Sequence, residues 1–325
     1  MHGSGGAAFA VLLALVTAPS PGTEPGPAVR IVQPNIDQTI KYDPEHFERQ
    51  WRRLEELTGR ASDRPPAGPG RMIFWPEVAI PDILSIDAPA RMRLAALLGP
   101  GDVMLTGASE LVPNEAGRVI GIYNSLFALD ALGNVHGRYD KSHLVPYGEY
   151  LPMRPLMKSL GLSELAPSAF DTWEGPGPRS LALPGFGRMG GQICYEVVFS
   201  GAVVDRSDRP DFLFNPSNDA WFGRWGPPQH LAQARLRALE EGMPVLRSTP
   251  TGISAIIDAR GRLIDSLGWR VAGVIDGRVP AAAPPTVFGR MGNFMPFIFA
   301  ALLVAAALLA ARLQLRTKRA REPHT

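Results

Sequence analysis

From Val29 to Arg278 the chain alternates short β-branched and aromatic runs with stretches whose apolar residues recur every three or four positions. That pattern predicts an α/β architecture. "VRIVQ" (29–33) reads as a first strand. Asp43-Pro44 then has the form of an N-cap with proline at the first helical position, and Phe47, Trp51, Leu54 and Leu57 share one helix face through about Ala61. "RMIFWPE" (71–77) predicts a second strand halted at Pro76. "DVMLTGAS" and "YNSLFALD" continue the strands, and Gly133-Asn134 turns the chain into "VHGRYDK", so a hairpin-like section is expected in the middle. "RMGGQIC", "DFLFN", "PVLRST" and "SAIID" predict later strands, with helices at about 197–206 and 228–241. No internal repeat of fixed period is visible.

The two ends follow a different pattern. Phe294 to Ala311 carries no charge over 18 residues, close to the ~20 needed to cross the hydrocarbon core as a helix. Arg312, Arg316, Lys318, Arg319 and Arg321 follow at once, and the positive-inside rule places such a tail in the cytoplasm. The preceding domain is then expected on the opposite face of the membrane, the periplasm if the cell is Gram-negative. Gly5 to Ala18 is apolar but shorter, with no Lys or Arg before it, and residues 19–28 form a Pro/Gly-rich linker. The expected organisation is therefore 1–28 apolar segment and linker, 29–280 main domain, 281–293 linker, 294–311 transmembrane helix and 312–325 basic tail.

Composition sharpens this in two ways. A chain of 325 residues with 45% hydrophobic content can bury a full core. A net charge of +2, from 33 basic and 31 acidic residues, gives no electrostatic case for a nucleic-acid partner. The single cysteine, Cys194, excludes an intramolecular disulfide and is either a small buried hydrophobe or a reactive thiol.

A cysteine nucleophile needs a base to take its proton and a positive or hydrogen-bonding partner for the oxyanion it creates. Glu77, after an apolar strand and a proline, is a candidate base; Lys141 in "YDKSH" is a candidate cation; Cys194 ends another strand-like run. Taken singly, each has a plainer reading, as a loop or cap acid, a surface charge and a core residue. His143 suggests a Cys/His pair but, beside Lys141, reads as structural.

Taken together, "FWPE", "YDKSHLVPYGEYLP", "GGQICYEVVF" and "NPSNDAWFG" resemble the nitrilase superfamily, whose Glu-Lys-Cys triad sits on an αββα sandwich. Within it the sequence is most similar to the apolipoprotein N-acyltransferases, over roughly Val29 to Gly277 and the C-terminal apolar segment. The resemblance implies a nitrilase-like αββα fold with a C-terminal membrane helix. It implies Glu77 as base, Lys141 as oxyanion stabiliser and Cys194 as nucleophile, with Glu149, Tyr195 and Glu196 supporting the site. Physics alone leaves Glu196 equally readable as an acid at a helix N-terminus. Tyr42 in "TIKYDP" stands where that family usually has Trp, in a loop near the site. The family carries membrane helices ahead of the domain, for which this sequence offers at most Gly5 to Ala18.

In "SNDAWFGRWGPPQHLAQARLRALEEG" (217–242), Trp221, Phe222 and Trp225 form an aromatic cluster, either packed on the domain or placed near an acyl chain or bilayer. Arg237 and Glu241 are expected to pair across one helical turn. The reaction implied by the resemblance is transfer of a fatty acyl chain from a phospholipid donor, through a thioester on Cys194, to the amine of an apolipoprotein's diacylglyceryl-cysteine. No cofactor or metal is implied. A membrane-tethered amidase, in which water resolves the thioester, is the alternative.

Overall fold

Along β2 (Arg71–Phe74) and into Trp75, successive side chains enter different cores, because a strand directs them alternately to its two faces. Met72 and Phe74 point to one core; Ile73 and Trp75 belong to another, with Trp51, Leu54 and Leu57. Strands buried on both faces read as continuous apolar runs, which is why "MIFW" shows no polar alternation. The computed structural model describes residues 22, 26–62, 70–150, 152 and 172–319.

Two six-stranded sheets carry the fold. The first joins β1 (Ala28–Gln33), β2, β3 (Val103–Pro113), β4 (Val119–Asp130), β5 (Val135–Asp140) and β12 (Gly273–Arg278) in the order β12-β1-β2-β3-β4-β5. The second has the order β11-β10-β9-β8-β7-β6, from β6 (Ser180–Leu183), β7 (Gly187–Gly191), β8 (Phe212–Pro216), β9 (Val245–Ser248), β10 (Ser254–Ile257) and β11 (Leu263–Leu267). In each sheet three central strands run parallel, β1-β2-β3 and β7-β8-β9, and antiparallel strands flank them.

The helices among the described residues are α1 (Gln38–Lys41), α2 (Phe47–Gly59), α3 (Ala88–Ala95), α4 (Gly226–Glu241), α5 (Val287–Met291) and α6 (Met295–Arg319). Between the sheets, Phe74 meets Phe214 edge-on with ring centroids 4.7 Å apart, among Val29, Leu105, Leu126, Met189 and Leu246. Apolar residues of α2 and α3 cover the outer face of the first sheet, and Leu231, Ala234 and Ala238 of α4 cover the second. The layers are therefore α-β-β-α, the nitrilase-like arrangement expected.

Local expectations fared unevenly. Asp43 does cap, accepting from Glu45 N, but over a 3-10 turn (Pro44–His46) that leads into α2. The middle section is the pair of hairpins β3-β4-β5. The strand before Cys194 stops at Gly191, and the helix expected at about 197–206 does not form. A 3-10 turn (Cys194–Val198) stands there instead, followed by extended Phe199 and by Gly201 at φ +72°, a conformation no helix continues through. Arg237 pairs with Glu240 at 2.7 Å, not with Glu241, which Arg209 takes at 2.9 Å from outside the helix. The segment 281–293 packs back on α4 through Ala283 N to Gly242 O and Thr286 Oγ1 to Glu240 O.

Helix α6 begins one residue after Phe294 and continues through Arg312 to Arg319. Its apolar side chains are exposed on every side, Phe297, Leu302 and Leu308 among them. A helix apolar all round is at home only in a core or in lipid, and Val287–Leu315 is long and apolar enough to be a candidate membrane span. The Gly5 to Ala18 segment and Arg321 lie outside the described residues.

Candidate active site

The residues singled out from the sequence lie in turns that follow the carboxyl ends of strands, the usual place for α/β sites. Glu77 follows β2, Lys141 follows β5 and Cys194 follows β7. The Glu77 turn is pressed onto β3: Gly107 N donates to Pro76 O at 3.2 Å and Ala79 N to Gly107 O at 2.8 Å. A Cβ on Gly107 would stand 2.9 Å from Glu77 Cα and nearer still to Val78 N, so only glycine allows this approach.

Lys141 Nζ, whose side chain is 1% exposed, lies 2.8 Å from Glu149 Oε1 and 3.5 Å from Glu77 Oε1. Asn124 on β4 ties the two acids together, its Nδ2 donating to Glu77 Oε1 at 2.8 Å and to Glu149 Oε1 at 3.3 Å. Glu149 Oε2 in turn accepts from Val145 N at 2.8 Å, which closes the turn that carries it. Burial alone would depress the Lys141 ammonium. Glu77, Cys194 and Glu149 outweigh that effect and hold its pKa above the ordinary lysine value.

Cys194 opens its 3-10 turn at φ +49°, a left-handed conformation that is uncommon for a side chain other than Gly, Asn or Asp. Its Sγ is 3.9 Å from Asn218 O, to which the thiol donates. Burial pushes the thiol pKa well above its usual value; the Glu77 carboxylate pushes the same way and Lys141 opposes both. The surroundings therefore favour the thiol over the thiolate.

Glu196 is no simple helix-end acid. Its Oε1 accepts from Tyr139 Oη at 2.8 Å, Ser142 N and Ser142 Oγ at 2.7 Å and His143 N at 3.2 Å, while Oε2 accepts from Ile193 N at 2.7 Å. One carboxyl thus joins the turn of the lysine to the turn of the thiol. Burial raises its pKa and those hydrogen bonds pull the other way. Tyr195 is half-buried and meets Phe199 edge-on at 5.0 Å; His143 stacks on the same ring at 4.4 Å, and its hydrogen bonds among the described residues go to Ser142 and Glu196. The Tyr195 N–H has no acceptor among the described residues.

Tyr42 is 55% exposed, with Glu77, Glu149 and Lys141 close enough to act on its hydroxyl. Trp221 and Phe222 belong to a 3-10 turn (Asp219–Phe222) next to Asn218; their side chains lie outside the described part. Trp225 is 71% exposed, under the Arg224 guanidinium. Two further residues of this site escaped the sequence reading. Asn124 is one, and Lys41 the other: its buried Nζ donates to Glu77 O at 2.9 Å, and burial pushes it down to about 8. The available signal was adjacency of Lys41 to Tyr42, but nothing in "TIKYDP" says which of the two is buried.

The cluster holds what acyl transfer through a thioester requires: a buried thiol, a carboxylate near enough to act on it and an ammonium for an oxyanion. Residues 28–283 match the carbon-nitrogen hydrolase family profile. A relative from Bradyrhizobium diazoefficiens, named apolipoprotein N-acyltransferase, is 40% identical over 290 residues, 88% of this chain and 53% of its own length. One of the same name from Rhizobium meliloti is 41% identical over 269 residues, 82% of this chain and 50% of its own. The chain thus spans about half the length of the curated relatives it matches. Among solved structures, a nitrilase-superfamily amidase from Nesterenkonia superposes with a TM-score of 0.54 at 18% identity, over 80% of this chain and 93% of that one. Saccharomyces cerevisiae Nit3 does so with a TM-score of 0.56 at 17% identity, over 84% and 96%. At such identities the likeness concerns the fold.

Proposed function

The chain belongs to the carbon-nitrogen hydrolase family, and from that premise we propose that it is the catalytic portion of an apolipoprotein N-acyltransferase. The observation that carries this reading is the meeting of Glu77, Lys141 and the sole cysteine in one buried cluster, in a chain about 40% identical to enzymes of that name. In the first half-reaction the Cys194 sulfur attacks a phospholipid ester carbonyl while Glu77 takes the thiol proton. Lys141 meets the oxyanion. The ester C–O bond then breaks, Glu77 returns the proton to the departing oxygen, and a lysophospholipid leaves behind a thioester. In the second half the α-amine of a diacylglyceryl-cysteine attacks that thioester, Glu77 moves the amine proton to the departing sulfur, and an amide forms.

Lipid substrates accord with the exposed apolar helix α6. Asn293 Nδ2, two residues before it, donates to Ser200 O at 2.9 Å, six residues after the nucleophile, so the helix leaves the domain near the Cys194 turn. The reading places the domain on the periplasmic face of the inner membrane and the basic helix end in the cytoplasm.

The test is the fate of the acyl group. The full chain, in vesicles of phosphatidylethanolamine with a labelled acyl chain, receives a synthetic peptide bearing N-terminal diacylglyceryl-cysteine. Labelled amide on the peptide is expected. Labelled free fatty acid in its place, with the peptide untouched, would make the protein a hydrolase.

A further inference from the structure

A second buried charge network stands directly behind the nucleophile, and the acyl-transfer steps above do not use it. Arg247 of β9 and Asp219, just beyond β8, are both fully buried, with Arg247 Nη2 2.6 Å and 2.7 Å from the two Asp219 oxygens. His230 of α4, 5% exposed, places Nδ1 2.8 Å from Asp219 Oδ1 and Nε2 3.0 Å from the carbonyl oxygen of Cys194. Burial would raise the Asp219 carboxyl, yet Arg247 and His230 bring it down to about 2. Burying such charges costs several kcal/mol per ion before pairing, so a buried ion pair is weak evidence of a stabilising role. His230 Nε2 carries this network to the Cys194 carbonyl itself, while Asn215, bonded to Arg247, reaches the same turn at Gln192 O.

A carbonyl oxygen only accepts, so Nε2 carries the proton and donates. The carbonyl it holds belongs to the residue at φ +49°, and the peptide on the other side of Cys194 is held by Glu196, whose backbone N–H donates to Ile193 O at 3.2 Å. Cys194 is therefore clamped on both sides in a conformation it would not adopt unaided. In a trans peptide the C=O and N–H lie in one plane and point in opposite directions. Fixing the Cys194 carbonyl on His230 turns the Tyr195 N–H away from the network, free to donate.

We propose that His230 is a positioning residue: it fixes the Cys194–Tyr195 peptide so that the Tyr195 N–H joins Lys141 in receiving the oxyanion of the acyl intermediate, and Asp219 and Arg247 hold its ring in place. This rests on the reading of Cys194 as the nucleophile of acyl transfer. His230 acts through the peptide and touches no substrate.

Two amide variants separate this role from a structural one. In His230→Gln the side-chain NH2 reaches the Nε2 position and keeps the donor to Cys194 O; in His230→Asn it reaches only the Nδ1 position and loses it. Each full-length protein is given two reagents: phosphatidylethanolamine vesicles, with acylation of Cys194 followed by mass, and iodoacetamide, whose displacement reaction forms no oxyanion. His230→Asn is expected to slow acylation about 10- to 100-fold with alkylation at the wild-type rate, and His230→Gln to acylate like wild type. His230→Leu, apolar and of similar size, replaces the asparagine variant if that protein does not fold, with the same expectation. A folded His230→Asn protein that acylates at the wild-type rate overturns the positioning role, as does a parallel fall of both rates or a selective loss of acylation in His230→Gln. If wild type itself never acquires an acyl group, the reading of Cys194 fails and the inference with it.

Discussion

Burial and the Glu77 carboxylate both disfavour the charged form of Cys194, and Lys141 opposes them. The same carboxylate therefore has two opposed effects on the sulfur: it takes the proton during attack, yet its charge holds the thiol pKa up beforehand. Replacing it separates them. In Glu77→Gln the acyl-enzyme is expected to form about 10²- to 10⁴-fold more slowly, while ultraviolet titration of the thiolate moves to lower pH, since Lys141 is then opposed by less negative charge. A titration that moves upward would mean that Glu77 does not act on the thiol. At this scale the sequence was informative where residues come in motifs: Glu77, Lys141, Glu149 and Cys194 do converge. It was silent on Lys41, Asn124 and His230, because a buried lysine, a strand asparagine and a helix histidine look the same in sequence whether they face a site or a core.

Between residues and the whole stand the turns, and here Glu196 is central. Its five hydrogen bonds tie the β5 and β7 turns together, which is also why no helix grows from Cys194: the side chain bonds back to Ile193 and across to Ser142 and His143. An amide keeps one acceptor oxygen and faces at least one of those donors with an NH2. Glu196→Gln is expected to lower stability by about 2–3 kcal/mol, seen as a fall in thermal midpoint. No fall would mean that the clamp is spare. Gly191 offers a steric counterpart, since a Cβ there would stand 2.6 Å from the ring of buried Tyr139, the same tyrosine that donates to Glu196. Gly191→Ala is expected to cost about 1–3 kcal/mol and to slow acylation as well, because the displaced ring takes the clamp with it. The room that Gly191 leaves is filled from the other sheet, by Tyr139 of β5.

For the whole molecule, the α/β class and most central strands followed from hydrophobic patterning. Strand order did not. Each sheet sets distant segments side by side, β1 against β12 for instance, and β6, β11 and β12 carry too few apolar residues in alternation to announce themselves. Helix α6 was legible for the opposite reason, an uncharged run too apolar for a surface. Its side chains are exposed and contribute nothing to the αββα core, so a chain ending at Phe294 is expected to keep the thermal midpoint of the full protein and to lose acylation by vesicle phospholipid. A large fall in midpoint would instead make the helix part of the domain. The most direct measurement of the central proposal is the intact mass of the full protein after incubation with phosphatidylethanolamine vesicles and no amine acceptor. The expected result is one added fatty acyl group, removed by hydroxylamine and absent in Cys194→Ala. An unmodified protein, or an acyl group that persists in Cys194→Ala, would contradict it.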